Sequence, residues 1–358
     1  MNNITFPPSA VLELTYRCNH RCIFCSCPWD APDSKYPRGR ELDFEQWKQA
    51  IDRLFDLGVQ SFSISGGEAT LKDCMPQIVE YIREEGCRRR EGFPYPIVLI
   101  SNGLNMKDEY LQLFKRCGVH LSMSLPGYST FQEHTGVDNA DGVLDWFRKA
   151  KEIGLNTTVN VTVTRKNIHE LFETISMGLI SGASSLLLNR FLPGGRGLVH
   201  MDELMLSQGQ VNEMLSVAEE ILSLSGRYGS VGTEVAACAI KDAGKYHRLR
   251  FGYQCGAAKS FFVIDPSGNI RTCNHSPKIV GHILNDPVIE DEAYWDLFAD
   301  SQYKPVACQS CRRLSECDCG CREVANILYG DPTAVDSSIV NKLSITAPAD
   351  CPLPTAAD

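Results

Sequence analysis

The 358-residue chain reads as an α/β protein, a mainly parallel sheet covered by helices, followed by a second, cysteine-rich region. Three observations carry this reading. Between residues 10 and 225, β-rich apolar runs alternate six times with segments of helical periodicity. The runs are nearly continuous in apolar residues, as strands buried on both faces are. Nine of the sixteen cysteines fall after residue 233, where the alternation stops. Such a sheet is either open and doubly wound or a full or partial barrel, and in both the chemistry sits where strands end.

The strand-like runs are 10–16, 60–65, 97–102, 119–125, 155–164 and 184–192. The clearest helix follows the first of them: Phe44, Trp47, Ile51, Leu54 and Phe55 form one apolar face, Asp43 is its N-cap, and Gly58 stops it. Cys74, Cys87 and Cys117 fall on or beside helices and read as small buried hydrophobes. The basic run Arg88, Arg89, Arg90 reads as a solvated loop. Residues 262–273 read as a β-hairpin turning at Pro266, Ser267 and Gly268. The expected division is 8–232 for the sheet region and 233–358 for the cysteine-rich region.

Charge and hydropathy narrow the function. A formal charge of −9 argues against a nucleic-acid partner, because nothing draws phosphate backbones to the surface. No basic segment followed by an apolar stretch opens the chain, and eighteen apolar residues never run together, so no membrane partner is expected. These features predict a cytoplasmic enzyme. Disulfides are rare in that compartment, so the cysteines call for metal or catalysis.

Directly after the first strand stand Cys18, Cys22 and Cys25, spaced x3 and x2 on a loop. Three thiolates this close suit an iron–sulfur cluster with one iron left without cysteine. A zinc loop completed by Cys27 or His20 is the alternative. With Ser65-Gly66-Gly67-Glu68 closing the second strand, the chain resembles the radical S-adenosylmethionine (SAM) enzymes, whose fold is a partial (β/α)6 barrel of the TIM type. The resemblance implies that Cys18, Cys22 and Cys25 hold a [4Fe-4S] cluster whose open iron chelates SAM. Reductive cleavage of SAM to a 5′-deoxyadenosyl radical then drives hydrogen abstraction from a substrate. It further implies that Gly66 and Gly67 admit the methionine ammonium, with Glu68 accepting from that ammonium or from the turn itself. Phe24 would meet adenine, and Ser124 the ribose or carboxylate. Arg190 would pair with a SAM or substrate carboxylate, or serve as a surface salt bridge. The family often has an Asp where this chain has Pro126, so no role of that Asp carries over, and the stretch after it reads His134-Thr135-Gly136. Cys27 reads as a non-ligand.

The later cysteines, Cys255, Cys273, Cys308, Cys311, Cys317, Cys321 and Cys351, match in spacing the SPASM extension of the same enzymes, named for subtilosin, PQQ, anaerobic sulfatase and mycofactocin maturation. Seven cysteines cannot close two four-thiolate clusters. The resemblance implies a distal auxiliary [4Fe-4S] cluster on Cys308, Cys311, Cys317 and Cys351, and a nearer one on Cys255, Cys273 and Cys321. Cys319 and Cys238 are the candidates for an eighth ligand, and otherwise one iron stays open. A zinc ribbon on Cys308, Cys311, Cys317 and Cys321 is the alternative.

SPASM proteins mostly modify peptides or proteins, so the expected activity is maturation of a ribosomally made peptide by crosslinking, epimerisation or side-chain oxidation. A reductant such as flavodoxin or ferredoxin would supply the electron. The alternatives are a sulfatase-maturase-like protein oxidase, a small-molecule radical enzyme, or an iron–sulfur electron-transfer or zinc-binding protein. With the first strand near residue 10, no N-terminal leader-recognition domain is expected.

Overall fold

A computed structural model describes residues 4–336. Eight parallel strands lie side by side in chain order: β1 (Ser9–Glu13), β2 (Ser61–Ser65), β3 (Ile97–Ser101), β4 (Val119–Ser124), β5 (Thr157–Val163), β6 (Ser185–Arg190), β7 (Gly229–Val231) and β8 (Leu249–Arg250). Helices α1 (Phe44–Asp56), α2 (Met75–Arg89), α3 (Asp108–Cys117), α4 (Phe131–Thr135), α5 (Ala140–Glu152), α6 (Leu171–Ser181), α7 (Met201–Leu204) and α8 (Gln208–Ser225) lie in the connections. All six expected strands form, trimmed where the chain enters loops. The sheet stays unclosed, as in a partial barrel.

Local rules explain most of these elements. The Asp43 carboxylate accepts from Gln46 N at 3.0 Å while the Gln46 side chain accepts from Asp43 N at 3.1 Å, a capping box that starts α1. Trp47, Ile51 and Leu54 are fully buried, which is the apolar face expected from their spacing. Cys117 is buried and Cys74 and Cys87 are half-buried. The Arg88–Arg90 stretch is not a loop: Arg88 and Arg89 end α2, where cations suit the helix dipole. Arg89 pairs there with Asp52 at 3.3 Å and with Glu85 at 2.6 Å.

The cysteine-rich region contributes strands to the same sheet. The expected hairpin forms as β9 (Phe261–Ile264) and β10 (Asn269–Arg271), with β11 (Gly281–His282) beyond. Its turn is held by the Asp265 carboxylate, which accepts from Ser267 N at 2.8 Å and Asn269 N at 2.9 Å, and Gly268 sits at φ +92°. β9 pairs in parallel with β1, from Ser9 opposite Phe261 to Leu12 opposite Ile264. β1 is therefore hydrogen-bonded on both sides. Helices α9 (Glu292–Ala299) and α10 (Arg322–Tyr329) follow.

A buried ion pair joins the two regions. Arg271 of β10 donates to the carboxylate of Glu13, the last residue of β1, and to the carbonyls of Asn274 at 3.0 Å and Ser276 at 2.9 Å. The guanidinium lies 5.7 Å from the Trp29 ring centre and 5.6 Å from that of Tyr36. Burial pushes the Glu13 carboxyl up, and the guanidinium pulls it back toward ionisation. Replacing Arg271 by Met strands a buried carboxylate and should cost about 3–5 kcal/mol, read as a lower urea midpoint. Adding Glu13→Leu should return most of it. Equal midpoints for the single and double variants would show that the pair is not what the C-terminal strands depend on.

Candidate active site

The chain leaves β1 into the first cysteine loop under close backbone control. Gly67 N donates to Thr15 O at 2.7 Å and Glu68 N to Arg17 O at 2.8 Å, so the two strand ends are locked together. A Cβ on Gly67 would fall 2.6 Å from the Arg17 carbonyl carbon, and one on Gly66 (φ +141°) 2.9 Å from Thr15 O. The chain's own backbone thus leaves no room for a side chain at either glycine. Glu68 likewise serves its turn. One carboxylate oxygen accepts from Thr70 N, Thr70 Oγ1 and Ser101 Oγ, the other from Asn102 N at 2.7 Å, which ties β2 to β3.

Two further segments seat the loop. Arg21 N donates to Thr135 O at 2.8 Å and Ile23 N to His134 O at 2.9 Å, so the His134-Thr135-Gly136 stretch is a backbone rest for the cysteines. The Phe24 ring packs 6.0 Å from that of His134. On the other flank Gly197 N donates to Cys25 O at 3.0 Å, and Arg196 bridges Cys22 O at 3.1 Å and Asp30 at 2.9 Å. Gly195, at φ +49°, lies so close that a Cβ would stand 2.5 Å from Cys27 O. Glu41 holds the strand exit by accepting from Thr15 Oγ1 and Tyr16 N and pairing with Lys72 at 3.0 Å. Partial burial opposes ionisation of Glu41, but these donors hold its carboxyl below the usual range. Neither Arg196 nor Glu41 carried a sequence signal beyond, for Arg196, its place in a glycine-rich turn.

These segments enclose a cavity of about 420 Å³ at the C-terminal ends of the strands. It is lined by Cys18, Cys22, Cys25 and Phe24 with Gly66, Gly67 and Glu68, and by Ser124 and Arg190 from β4 and β6. Cys255, Cys273 and Cys321 line it too, with Glu234 and Glu323. The structure therefore brings two cysteine trios, more than 200 residues apart in sequence, to one space. Cys308, Cys311 and Cys317 do not line it, and Cys351 lies outside the described residues. Arg190 is only 2% exposed, so it is no surface salt bridge: it donates to Glu234 O at 3.1 Å and to Asp336 at 2.8 Å. The same Asp336 oxygen accepts from Cys321 N at 2.9 Å.

The donor chemistry fits an iron–sulfur group. Burial pushes the Cys18 thiol up to about 11 and the Cys22 thiol well above the cysteine range, so bound cations are what would keep these sulfurs ionised. Cys25 is pulled down because it accepts from the Cys27 thiol, against burial, and Cys27 is pushed up by that donation and by its own burial. Cys27 also points at Gly66 O, 4.0 Å away. Among the described residues no three Cys, His, Asp or Glu donors are drawn together tightly enough for a single ion. An iron–sulfur cluster carries its own sulfides between the irons and needs no such closeness.

Residues 12–177 match the radical SAM superfamily. The chain carries a radical SAM domain. Along nearly its full length it is similar to PqqA peptide cyclases: 26% identical to that of Granulibacter bethesdensis, over 94% of this chain and 88% of the relative, and 28% identical to that of Rhodopseudomonas palustris, over 92% and 86%. Among solved structures it shares the fold of Streptococcus suis SuiB bound to S-adenosylmethionine, with a TM-score of 0.70 at 17% identity over 94% of this chain and 77% of that one. It also shares the fold of anSMEcpe with bound AdoMet and a peptide, with a TM-score of 0.66 at 16% identity over 88% and 90%.

The backbone lock at Gly67 has a direct consequence. Gly67→Ala should leave protein that no longer holds iron at the first loop and carries about four irons fewer than the unsubstituted protein after anaerobic purification, although no atom it alters is a metal donor. Iron content at the level of the unsubstituted protein would show that the strand ends tolerate separation.

Proposed function

We propose that this protein is a radical SAM peptide maturase, acting on a ribosomally made peptide and forming a crosslink between its side chains. The observation that carries this reading is the single cavity flanked by both cysteine trios. Similarity to the PqqA peptide cyclases over more than nine-tenths of the chain supports the peptide as substrate. Cys18, Cys22 and Cys25 hold the SAM-binding cluster, and Cys255, Cys273 and Cys321 an auxiliary cluster facing the same space. A second auxiliary cluster belongs to the remaining C-terminal cysteines. A flavodoxin or ferredoxin delivers the electron, in a cytoplasm that keeps the thiols reduced; among the described residues no helix is long and apolar enough to cross a membrane.

SAM bound at a reduced cluster supplies a 5′-deoxyadenosyl radical that removes a hydrogen atom from the substrate. The chain does the positioning. Phe24, in the cysteine loop, would meet the adenine of bound SAM, and Ser124, at the end of β4, its ribose or carboxylate. Gly66 and Gly67 expose backbone there, with Glu68 fixing the turn. Arg190 acts by holding Asp336, and through it Cys321, in place. After hydrogen abstraction, closing a crosslink would release one proton and one electron; the auxiliary cluster held by Cys255, Cys273 and Cys321 would take the electron, and Glu234 or Glu323, which line the same cavity, would take the proton when ionised.

Anaerobically purified protein should be brown with roughly twelve irons per chain, as three four-iron clusters require. Only about four irons, with zinc, would reduce the C-terminal region to a zinc-binding module. Cys18→Ala, Cys22→Ala or Cys25→Ala should each abolish 5′-deoxyadenosine formation with dithionite and SAM, while Cys27→Ala keeps it. With a small Cys- or aromatic-containing peptide encoded beside this chain, the reduced protein should give a product lighter by two hydrogens. Tandem mass spectrometry should find two of its side chains joined. An aldehyde in place of the bond would favour the protein-oxidase reading.

A further inference from the structure

A buried charge pair stands against the backbone of Cys255, one of the cysteines that line the cavity. Asp318 is 1% exposed and does not line the cavity itself. One of its carboxylate oxygens accepts from Cys255 N at 2.8 Å, from Lys259 Nζ at 2.6 Å and from the Tyr303 hydroxyl at 3.0 Å. Lys304 Nζ stands 3.5 Å from the other oxygen. The Lys259 ammonium also donates to Ser301 Oγ at 2.8 Å and to the Tyr303 hydroxyl at 2.9 Å. Cys255 and Lys259 belong to one tight turn, in which the Gly256 carbonyl accepts from Lys259 N at 3.1 Å, Ser260 N at 2.9 Å and Phe261 N at 3.2 Å as β9 begins.

A neutral acceptor would satisfy the Cys255 amide and the Tyr303 hydroxyl. A carboxylate with its ammonium does more, because it sets fixed charge one hydrogen bond away from a cysteine backbone, where partial burial leaves it weakly screened. Negative charge close to a redox centre disfavours an added electron and lowers its potential, and positive charge raises it. The carboxylate also takes up the Cys255 amide, which is then not free to donate to sulfur, and N–H donors to sulfur are among the groups that set a cluster's potential. Cys317 provides the contrast: its sulfur accepts from Ala237 N at 3.4 Å and from Cys319 N at 3.3 Å.

We propose that Asp318 and Lys259 are positioning residues for the auxiliary cluster at Cys255, Cys273 and Cys321: they fix Cys255 through its amide and set the potential at which that cluster accepts the electron released when the crosslink closes. Asp318 lowers the potential and Lys259 raises it. The cluster gains one electron in this step, and the proton goes separately to Glu234 or Glu323. This rests on the reading that these three cysteines hold an iron–sulfur cluster.

The test uses full-length protein carrying Cys18→Ala, Cys22→Ala and Cys25→Ala, loaded anaerobically with iron and sulfide, so that only auxiliary clusters remain. A redox titration followed by electron paramagnetic resonance gives the midpoint of the signal that Cys255→Ala erases. Asp318→Asn, nearly the same in shape, should keep the parent's iron content and shift that midpoint to a more positive potential. Lys259→Met should shift it to a more negative one, Lys259→Arg should leave it in place, and Asp318→Asn combined with Lys259→Met should bring it back toward the parent. If Asp318→Asn does not accumulate, the two Lys259 variants decide alone. Shifts of the same sign in Asp318→Asn and Lys259→Met, equal shifts in Lys259→Met and Lys259→Arg, no shift in any variant, or iron lost from Lys259→Met would each overturn the assignment and leave the pair a structural clamp. A parent without iron would instead overturn the cluster reading, and the assignment with it.

Discussion

The whole site depends on one close backbone approach, that of Gly67 to Thr15–Arg17. A parallel sheet brings the C-terminal ends of β1 and β2 side by side, but strands about 4.8 Å apart do not by themselves decide where their loops go. Two amide-to-carbonyl bonds across the strand ends do, and they form only because residue 67 has no Cβ. The direction of the chain as it enters Cys18, and so the side on which Cys18, Cys22 and Cys25 present their sulfurs, follows from that contact. The carbonyls of His134 and Thr135, the Gly197 amide and the Arg196 guanidinium then confine the rest of the loop.

β1 carries the second constraint. Its other edge is taken by β9, so the strand that launches the first cysteine loop also anchors the hairpin that ends at Cys273. The buried Glu13–Arg271 pair and the aromatic rings of Trp29 and Tyr36 fasten the same junction from within. Placing two cysteine groups across one cavity requires no flexible coupling between regions. The first cysteine loop follows β1, and Cys273 follows β10 of the same sheet.

Much of this was legible from residues alone. The six strands, α1 with its Asp43 cap, and the 262–273 hairpin follow from periodicity and turn chemistry, which are local. So is the first cysteine spacing, since x3 and x2 gather thiols within one loop whatever surrounds them. The Arg88–Arg90 stretch misled because a run of cations looks the same in a loop and at a helix C-terminus; Asp52, Asp56 and Glu85, which pair with Arg89, decide between the two. Arg190 misled for a related reason. Its partner Asp336 is 146 residues away, and no pattern near either residue announces the pair.

By itself, then, the sequence determined the class of fold, the strand ends where chemistry belongs, and the residue types that could hold iron, because each depends on neighbours within a few positions along the chain. Only the tertiary structure decided that β9 joins β1 and that Cys255, Cys273 and Cys321 share a cavity with Cys18, Cys22 and Cys25. Those outcomes depend on which strand edge is free to pair and on which distant residues the sheet then brings together. Neither is written in composition, spacing or periodicity.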